Sequence, residues 1–311
     1  MRKIQSLVCL LVVSAVLSGC AGTGKVRPME ERAYVPGKEG AEAAVTSQNV
    51  KNDLAPETAE KNMTSFSETA GKTMTSEDAK REMNVKRPLM VRKRLIYRIA
   101  WNGIPVGRII GETHNTFDYR GRKVYVATLK TESNAFLSMI YRVADTYLSY
   151  VDVEDMSSRR YEADRKEGRY RKHVVVEYDF ESKEAIYTNH TDGSIKRCSI
   201  TEPVHDPVSA MCYFMTLPVK QGDKVHVTIN LNEKNYELYS MVEDLGLVKL
   251  PRLGEYSAFR MKLHAFLNGK EYRKGNAWMY FATGEKRLPL YGEVKIRFGK
   301  ITATLCKEED I

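Results

Sequence analysis

The side chains able to do chemistry are few and scattered. Cys20 follows Leu17, Ser18 and Gly19, at the end of a segment that opens with Arg2 and Lys3 and continues through the apolar run Leu7–Leu17. A charged start, a short apolar middle and small residues at the cut define a secretory signal. The Cys20 thiol stands just beyond that cut. His205 stands beside Asp206, and it is the one histidine of six with a carboxylate neighbour. Such a pair could pass a proton as acid and base; its simpler reading is a helix cap next to a structural histidine. Asp145, Asp152, Glu154 and Asp155 offer hard oxygen ligands to a cation such as calcium, but they lack a glycine-punctuated loop and read as strand-end carboxylates. Gly19–Lys25 matches the first part of a phosphate-binding loop, yet Val26 stands where Ser or Thr is needed and no strand precedes it. Neither Gly-x-Ser-x-Gly nor His-Glu-x-x-His occurs. No catalytic residue, metal site or cofactor is expected, and an envelope hydrolase built on His205 and Asp206 is the weakest of the functional readings.

Leu17-Ser18-Gly19-Cys20 resembles the lipobox of bacterial lipoproteins, which are cut before the cysteine and acylated on it. The resemblance implies that residues 1–19 leave, that Cys20 is lipidated and that the chain is tied to a membrane of the cell envelope. The apolar stretch is itself too short to span, since a spanning helix needs about 20 residues. Ala21 rather than Asp follows the cysteine. In diderm bacteria that choice implies the outer membrane, with the protein facing the periplasm. Cys9 departs with the signal, so Cys198, Cys212 and Cys306 remain. Three thiols allow at most one internal disulfide, with Cys198 and Cys212 the nearer pair; three buried thiols satisfy the count equally.

The charge balance points to a class of partner. Beyond residue 90 there are 36 basic and 29 acidic residues, a surplus of seven positive charges. Arg159, Arg160, Arg165, Lys166, Arg169, Arg171 and Lys172 crowd one short stretch, and Arg92, Lys93 and Arg94 another. An exported protein does not meet nucleic acid as a partner. Anionic lipid headgroups, phosphorylated glycolipid and acidic polysaccharide are the polyanions within reach, each basic contact contributing about 1 kcal/mol at an anionic surface. A solvated charged hairpin is the alternative.

Positioning of these groups falls to a β domain on a tether. Residues 20–90 hold 11 basic and 11 acidic residues with few apolar ones, too little to offset chain entropy, so they read as a disordered tether. From residue 91 to 311 the pattern alternates with period two. Leu95, Tyr97, Ile99 and Trp101 share a face; so do Val225, Val227, Ile229 and Leu231, then Phe259, Met261, Leu263 and Ala265, then Val294, Ile296 and Phe298. Turn signals such as Asn102-Gly103, Asp192-Gly193 and Asn268-Gly269 separate the runs. Pro207–Leu217 breaks the rhythm as a short helix capped by Asp206, and 134–140 suits a further helical turn. The expectation is an all-β fold: a single strongly curved antiparallel sheet or (half-)barrel of about ten to twelve strands with one short helix. Tyr97, Trp101, Phe136 and Trp278 would then be core, or would line a cavity for an acyl chain in a wide barrel.

The order of motifs carries a second resemblance. Tyr97-x-Ile99-x-Trp101-x-Gly103-Ile104-Pro105-x-Gly107 opens the domain, followed by Tyr141-Arg142-Val143-Ala144-Asp145, then Asp206-Pro207-Val208-Ser209-Ala210, Gly222-Asp223, Ala277–Phe281 and Arg287-Leu288-Pro289-Leu290. The set resembles the bacterial envelope family known as domain of unknown function 3108, over about residues 92–306, with Gly284-Glu285 departing from the Asp that the pattern leads one to expect. The resemblance implies an exported all-β protein and supplies no catalytic residue. The functional expectation is a non-enzymatic, membrane-anchored lipoprotein that binds an amphipathic envelope molecule (lipid, glycolipid or acyl chain); the alternative is a structural partner docking on an envelope protein complex.

Overall fold

The computed structural model describes residues 89–271, 276–284, 286–296 and 299–311. Leu17, Ser18, Gly19 and Cys20, the tether to residue 88, and Glu285, Arg297 and Phe298 lie outside the described residues. Leu89 is buried and the Thr113 hydroxyl donates to the Met90 carbonyl, so the folded part includes the last two residues assigned to the tether.

Eight strands run up and down in sequence: β1 (Lys93–Trp101), β2 (Ile104–Tyr119), β3 (Arg122–Ser133), β4 (Ala144–Asp152), β5 (Ser158–Glu167), β6 (Tyr170–Asp179), β7 (Glu184–Asn189) and β8 (Ile195–Ser199). Helix α1 (Ala135–Ile140) lies between β3 and β4, and helix α2 (Pro207–Thr216) follows β8. Then come β9 (Lys224–Leu231), β10 (Lys234–Leu250), β11 (Gly254–Leu267), β12 (Lys270–Glu271), β13 (Asn276–Ala282), β14 (Pro289–Ile296) and β15 (Gly299–Asp310). All belong to one antiparallel sheet, ordered β8-β7-β6-β5-β4-β3-β2-β1-β15-β14-β13-β11-β10-β9, with β12 paired to β11. Strands β8 and β9 are its two outer edges, and the sheet does not close into a continuous ladder.

The fifteen strands exceed the ten to twelve expected because β8 and β12 have no apolar face. Four residues of β8 are exposed, and β12 is a Lys-Glu pair. Period two holds where expected on β9 and β11: Val225, Val227 and Ile229 are buried opposite exposed Lys224 and His226, and Met261, Leu263 and Ala265 opposite Arg260, Lys262 and His264. Along β1 the pairing register shifts at Ile96/Tyr97 and Ile99/Ala100, where the partner strands carry one extra residue each, Cys306 of β15 and Val106 of β2. A bulge adds one residue and moves the following side chains of the strand that carries it to the other face. Leu95 and Ile99 are buried as the alternation requires, Ala100 is buried as well, and Trp101, the last residue of β1 beside the turn, is 42 % exposed rather than inward.

The curvature is visible in what α2 touches. Val208 and Cys212 pack with Tyr147, Tyr161 and Val176 from the first half of the sheet. Ala210, Phe214 and Leu217 pack with Val227, Ile229, Leu238 and Phe281 from the second half. The helix thus fills the hollow between the halves, each fully buried large apolar side chain stabilising by about 1.5–3 kcal/mol. Asp206 starts it as the sequence predicts, with Pro207 in the first turn and Ser209 completing a capping box. Its carboxylate accepts from Val208 N at 2.6 Å and Ser209 N at 3.0 Å. It also accepts from the Ser149 hydroxyl of β4 at 2.5 Å and the Ser158 hydroxyl of β5 at 2.8 Å.

Asp206→Ala should therefore leave two amides and two hydroxyls without their acceptor in a fully buried site. The expected loss is about 3 kcal/mol or more of unfolding free energy, read by urea denaturation. A loss under about 1 kcal/mol would show that apolar packing alone seats the helix.

Candidate functional site

Where the sheet fails to close, side chains bridge the gap. The Tyr187 hydroxyl of β7 donates to Asn230 Oδ1 of β9 at 2.5 Å. Asn230 Nδ2 donates to Asn235 Oδ1 at 2.7 Å, and Asn235 Nδ2 to the Ser199 carbonyl of β8 at 2.7 Å. Lys196 Nζ lies 3.1 Å from Glu233 across the same gap. The segment before α2 covers the β9 edge: His205 N donates to the Thr228 carbonyl and Asn230 N to the His205 carbonyl. A row of polar side chains replaces the missing ladder and satisfies the edge.

Beside this seam lies a cleft of about 360 Å³, lined by Tyr170, Arg171, Lys172, Asn189, Lys196 and Glu233 among others. A narrower extension reaches inward past Lys172 and Tyr187 to Tyr147, Tyr161 and Arg165. The period-two register of β5 places Tyr161, Ala163, Arg165 and Glu167 on this inner side. Arg165 Nε donates to Glu167 Oε1 at 2.9 Å, and its guanidinium lies 5.2 Å from the Tyr170 ring centre. Asp145 is buried next to them; Lys166 N donates to it at 2.6 Å, and burial pushes its carboxyl up to about 6. The site combines tyrosine faces, fixed cations and hydrogen-bonding amides, a set suited to a polar, anionic, sugar-like or phosphate-bearing group.

The seven clustered basic residues do not form one surface, because strand alternation and ion pairing divide them. Arg159 is buried, donating to Asp152 Oδ2 at 2.9 Å and lying 4.3 Å from the Phe180 ring centre. Arg160 is paired with Glu177 and, at 3.2 Å, with Glu162. Lys166 is paired with Asp164 at 2.6 Å. Only Arg165, Arg171 and Lys172 reach the cleft, while Arg169 is exposed on the neighbouring turn. The acids that pair with them come partly from β5 itself, Glu162, Asp164 and Glu167, and partly from elsewhere in the fold, Asp152, Asp155 and Glu177.

The four aromatic candidates are likewise separated. The Tyr97 hydroxyl donates to the Pro289 carbonyl at 2.8 Å, and Lys295 Nζ sits 5.0 Å from the half-buried Trp278 ring. Trp101 and Phe136 are exposed, Phe136 at 61 %. They do not line a common interior cavity, since α2 occupies the hollow. Asp152, Glu154 and Asp155 face Arg122 and Arg159, and no group of three metal-ligating side chains occurs among the described residues. Cys198, Cys212 and Cys306 are free thiols, with Cys212 pushed up to about 12 by burial. Tyr187, Asn230 and Glu233 were not singled out in the sequence, because only the meeting of β7 with the β9–β10 hairpin makes them neighbours.

This arrangement, a curved antiparallel meander bridged at its edges by side chains, defines a β-barrel-like class of domain. The chain belongs to the family of proteins of unknown function DUF3108, whose model matches residues 96–305. No curated protein matches it in sequence. Its fold is similar to a β-barrel-like protein of domain of unknown function DUF1849 from Brucella abortus, at 8 % identity and a TM-score of 0.50, covering 72 % of this chain and 99 % of that one. A protein from Bacteroides fragilis described as exported, with a YmcC-like fold, aligns at 9 % identity and a TM-score of 0.31, over 72 % of this chain and 98 % of its own. A protein from Parabacteroides distasonis described as a lipoprotein aligns at 7 % identity and a TM-score of 0.32, over 71 % and 97 %.

His205 and Asp206 are both buried, at 2 % and 0 % exposure. The His205 ring lies against Tyr213, with centroids 4.9 Å apart, and its Nδ1 has no hydrogen-bond partner among the described residues. Burial lowers its pKa from the usual 6.5 to about 4. The unfolded chain therefore takes up a proton near pH 6.5 that the folded chain refuses until about pH 4, and stability falls as pH drops through that window. Thermal and urea denaturation of wild type and His205→Gln from pH 7 to pH 4 should differ in slope. Wild type should lose about 3 kcal/mol more than the variant across the window; parallel curves would show that His205 is not buried neutral.

Proposed function

We propose that this is a membrane-anchored protein of the bacterial cell envelope, held through lipidated Cys20 on the periplasmic side of the outer membrane. Its β domain binds the polar, anionic part of an amphipathic envelope molecule, a lipid or glycolipid, and catalyses no reaction on it. The observation that supports the reading is the cleft at the seam, where Arg165, Arg171, Lys172 and Lys196 stand among Tyr147, Tyr161, Tyr170 and Tyr187. Tyrosine faces suit sugar rings, and fixed cations suit phosphate or carboxylate. Because α2 fills the hollow, the reading assigns the headgroup to the protein and leaves the acyl chains in the bilayer. His205 and Asp206 serve the seam and the helix cap in this reading rather than proton transfer.

A second reading, a docking partner within an envelope protein complex, is favoured by strand β8, whose Ile195, Lys196, Arg197 and Ser199 are exposed at a sheet edge. Such an edge accepts an added strand from another chain.

Native mass spectrometry of the mature chain, purified gently from an envelope-exporting host, separates the two. A bound mass that disappears on organic extraction is expected. Arg171→Glu with Lys172→Glu should lower its occupancy about tenfold while leaving the melting temperature within a few degrees. A clean apo mass that persists after incubation with envelope lipids would overturn the ligand reading. A single dominant protein adduct on crosslinking in cells would then support the docking reading.

A further inference from the structure

An up-and-down sheet brings alternate turns to the same end. The β1–β2, β5–β6, β7–β8 and β9–β10 turns share one end with α1, and the seam cleft, with Tyr170, Thr191 and Glu233 on its lining, opens there. At this end apolar side chains face outward: Trp101 and Ile104 flank the β1–β2 turn, and Phe136, Met139 and Ile140 come from α1. Ile104 is 61 % exposed, Met139 79 % and Ile140 77 %. The exposure is built in. Asn134 caps α1 through the Leu137 amide, while its own amide and side-chain Nδ2 donate to the carbonyls of Val106 and Pro105, each at 2.8 Å. Those bonds clamp the helix beside Ile104, with Leu137 packed inward and the larger side chains turned away.

Large apolar side chains exposed together at one end of a protein mark a contact with a partner or a membrane. The surrounding charge selects between them. Arg142 follows the helix, its carbonyl accepts from Gly168 N, Arg169 lies on the adjoining turn and Arg171 at the start of β6, all three exposed. Among the described residues neither Arg142 nor Arg169 has a carboxylate partner. Asp192, on the next turn, is occupied by its own Ser194. Tryptophan, large apolar side chains and arginines at one end of the sheet match an anionic bilayer surface, with apolar groups at the acyl boundary and guanidinium groups at the phosphates.

We propose that this end of the domain docks onto an anionic lipid bilayer, with Trp101, Ile104, Phe136, Met139 and Ile140 entering the interface. The docking rests on the anchored-lipoprotein reading only in needing a bilayer within reach of the tether. It stands whether or not the cleft is occupied, and it would hold the cleft mouth at headgroup level.

The sequence has two tryptophans, so Trp278→Phe leaves Trp101 as the sole reporter. The mature acylated chain with that substitution is placed in phosphatidylglycerol–phosphatidylcholine vesicles whose acyl chains carry bromine near the headgroup. Trp101 emission should shift to the blue and fall about twofold, as for an interfacial side chain. Phe136→Ser with Met139→Ser and Ile140→Ser should abolish the quenching without lowering the melting temperature, and pure phosphatidylcholine should weaken it. A chain that floats with the vesicles while Trp101 emission is unchanged overturns the docking and leaves the anchor intact. A chain that does not float overturns the anchor reading and this one together. Quenching in the wild type that the triple variant retains overturns the assignment of the surface.

Discussion

The fold depends on one buried carboxylate. Asp206 accepts hydrogen bonds from two strands of the first half of the sheet and from two amides of α2, all within one dry pocket. Each donor is itself buried, so none has water as an alternative partner. Burial alone pushes the pKa of Asp206 up, opposed by hydrogen bonds from Ser149, Ser209, Ser158 and Val208. That one group seats the helix against β4 and β5, and the seated helix gives both halves of the sheet something to pack on.

Bending without closing creates the rest of the molecule's character. Two edges approach, and asparagine, tyrosine, lysine and glutamate side chains take over from backbone pairing. Side-chain bridges span more distance than a ladder, which is why space remains beside them. The same departure from regularity that leaves side chains to bridge the two edges supplies the cleft beside them. Structure and binding surface are therefore products of a single mismatch in strand count and curvature.

Much of this was legible in the chain. Alternation of apolar residues located the long strands, and Asp206-Pro207 located α2 with its cap. The sequence says less where two effects meet. Trp101 continues the apolar alternation of β1 in sequence, yet it is the strand's last residue beside the Asn102-Gly103 turn and stands partly exposed. The run Arg159–Lys172 carries seven basic residues against three acids, Glu162, Asp164 and Glu167. In three dimensions Glu177, Asp152 and Asp155 neutralise several members, and alternation sends neighbouring residues to opposite sides of the sheet. Strand β8 was invisible to a hydrophobic pattern because its stability comes from β7 and the seam rather than from a buried face. The seam residues lie tens of positions apart, and only the completed topology makes them a site.

The pairing of the first strand with the last has a consequence for how the domain comes into being. Lys93 lies opposite Asp310, and the amide of Ile311 donates to the carbonyl of Arg92. A rung in the middle of the sheet is thus made from strands more than two hundred residues apart in sequence, and such contacts slow folding because a long loop must close first. A chain emerging from its amino end can lay down β1 to β8 as successive hairpins, yet β1 keeps a bare flank until the final dozen residues arrive. Shortening the carboxyl terminus by those residues would remove an interior member of the sheet rather than trim a tail.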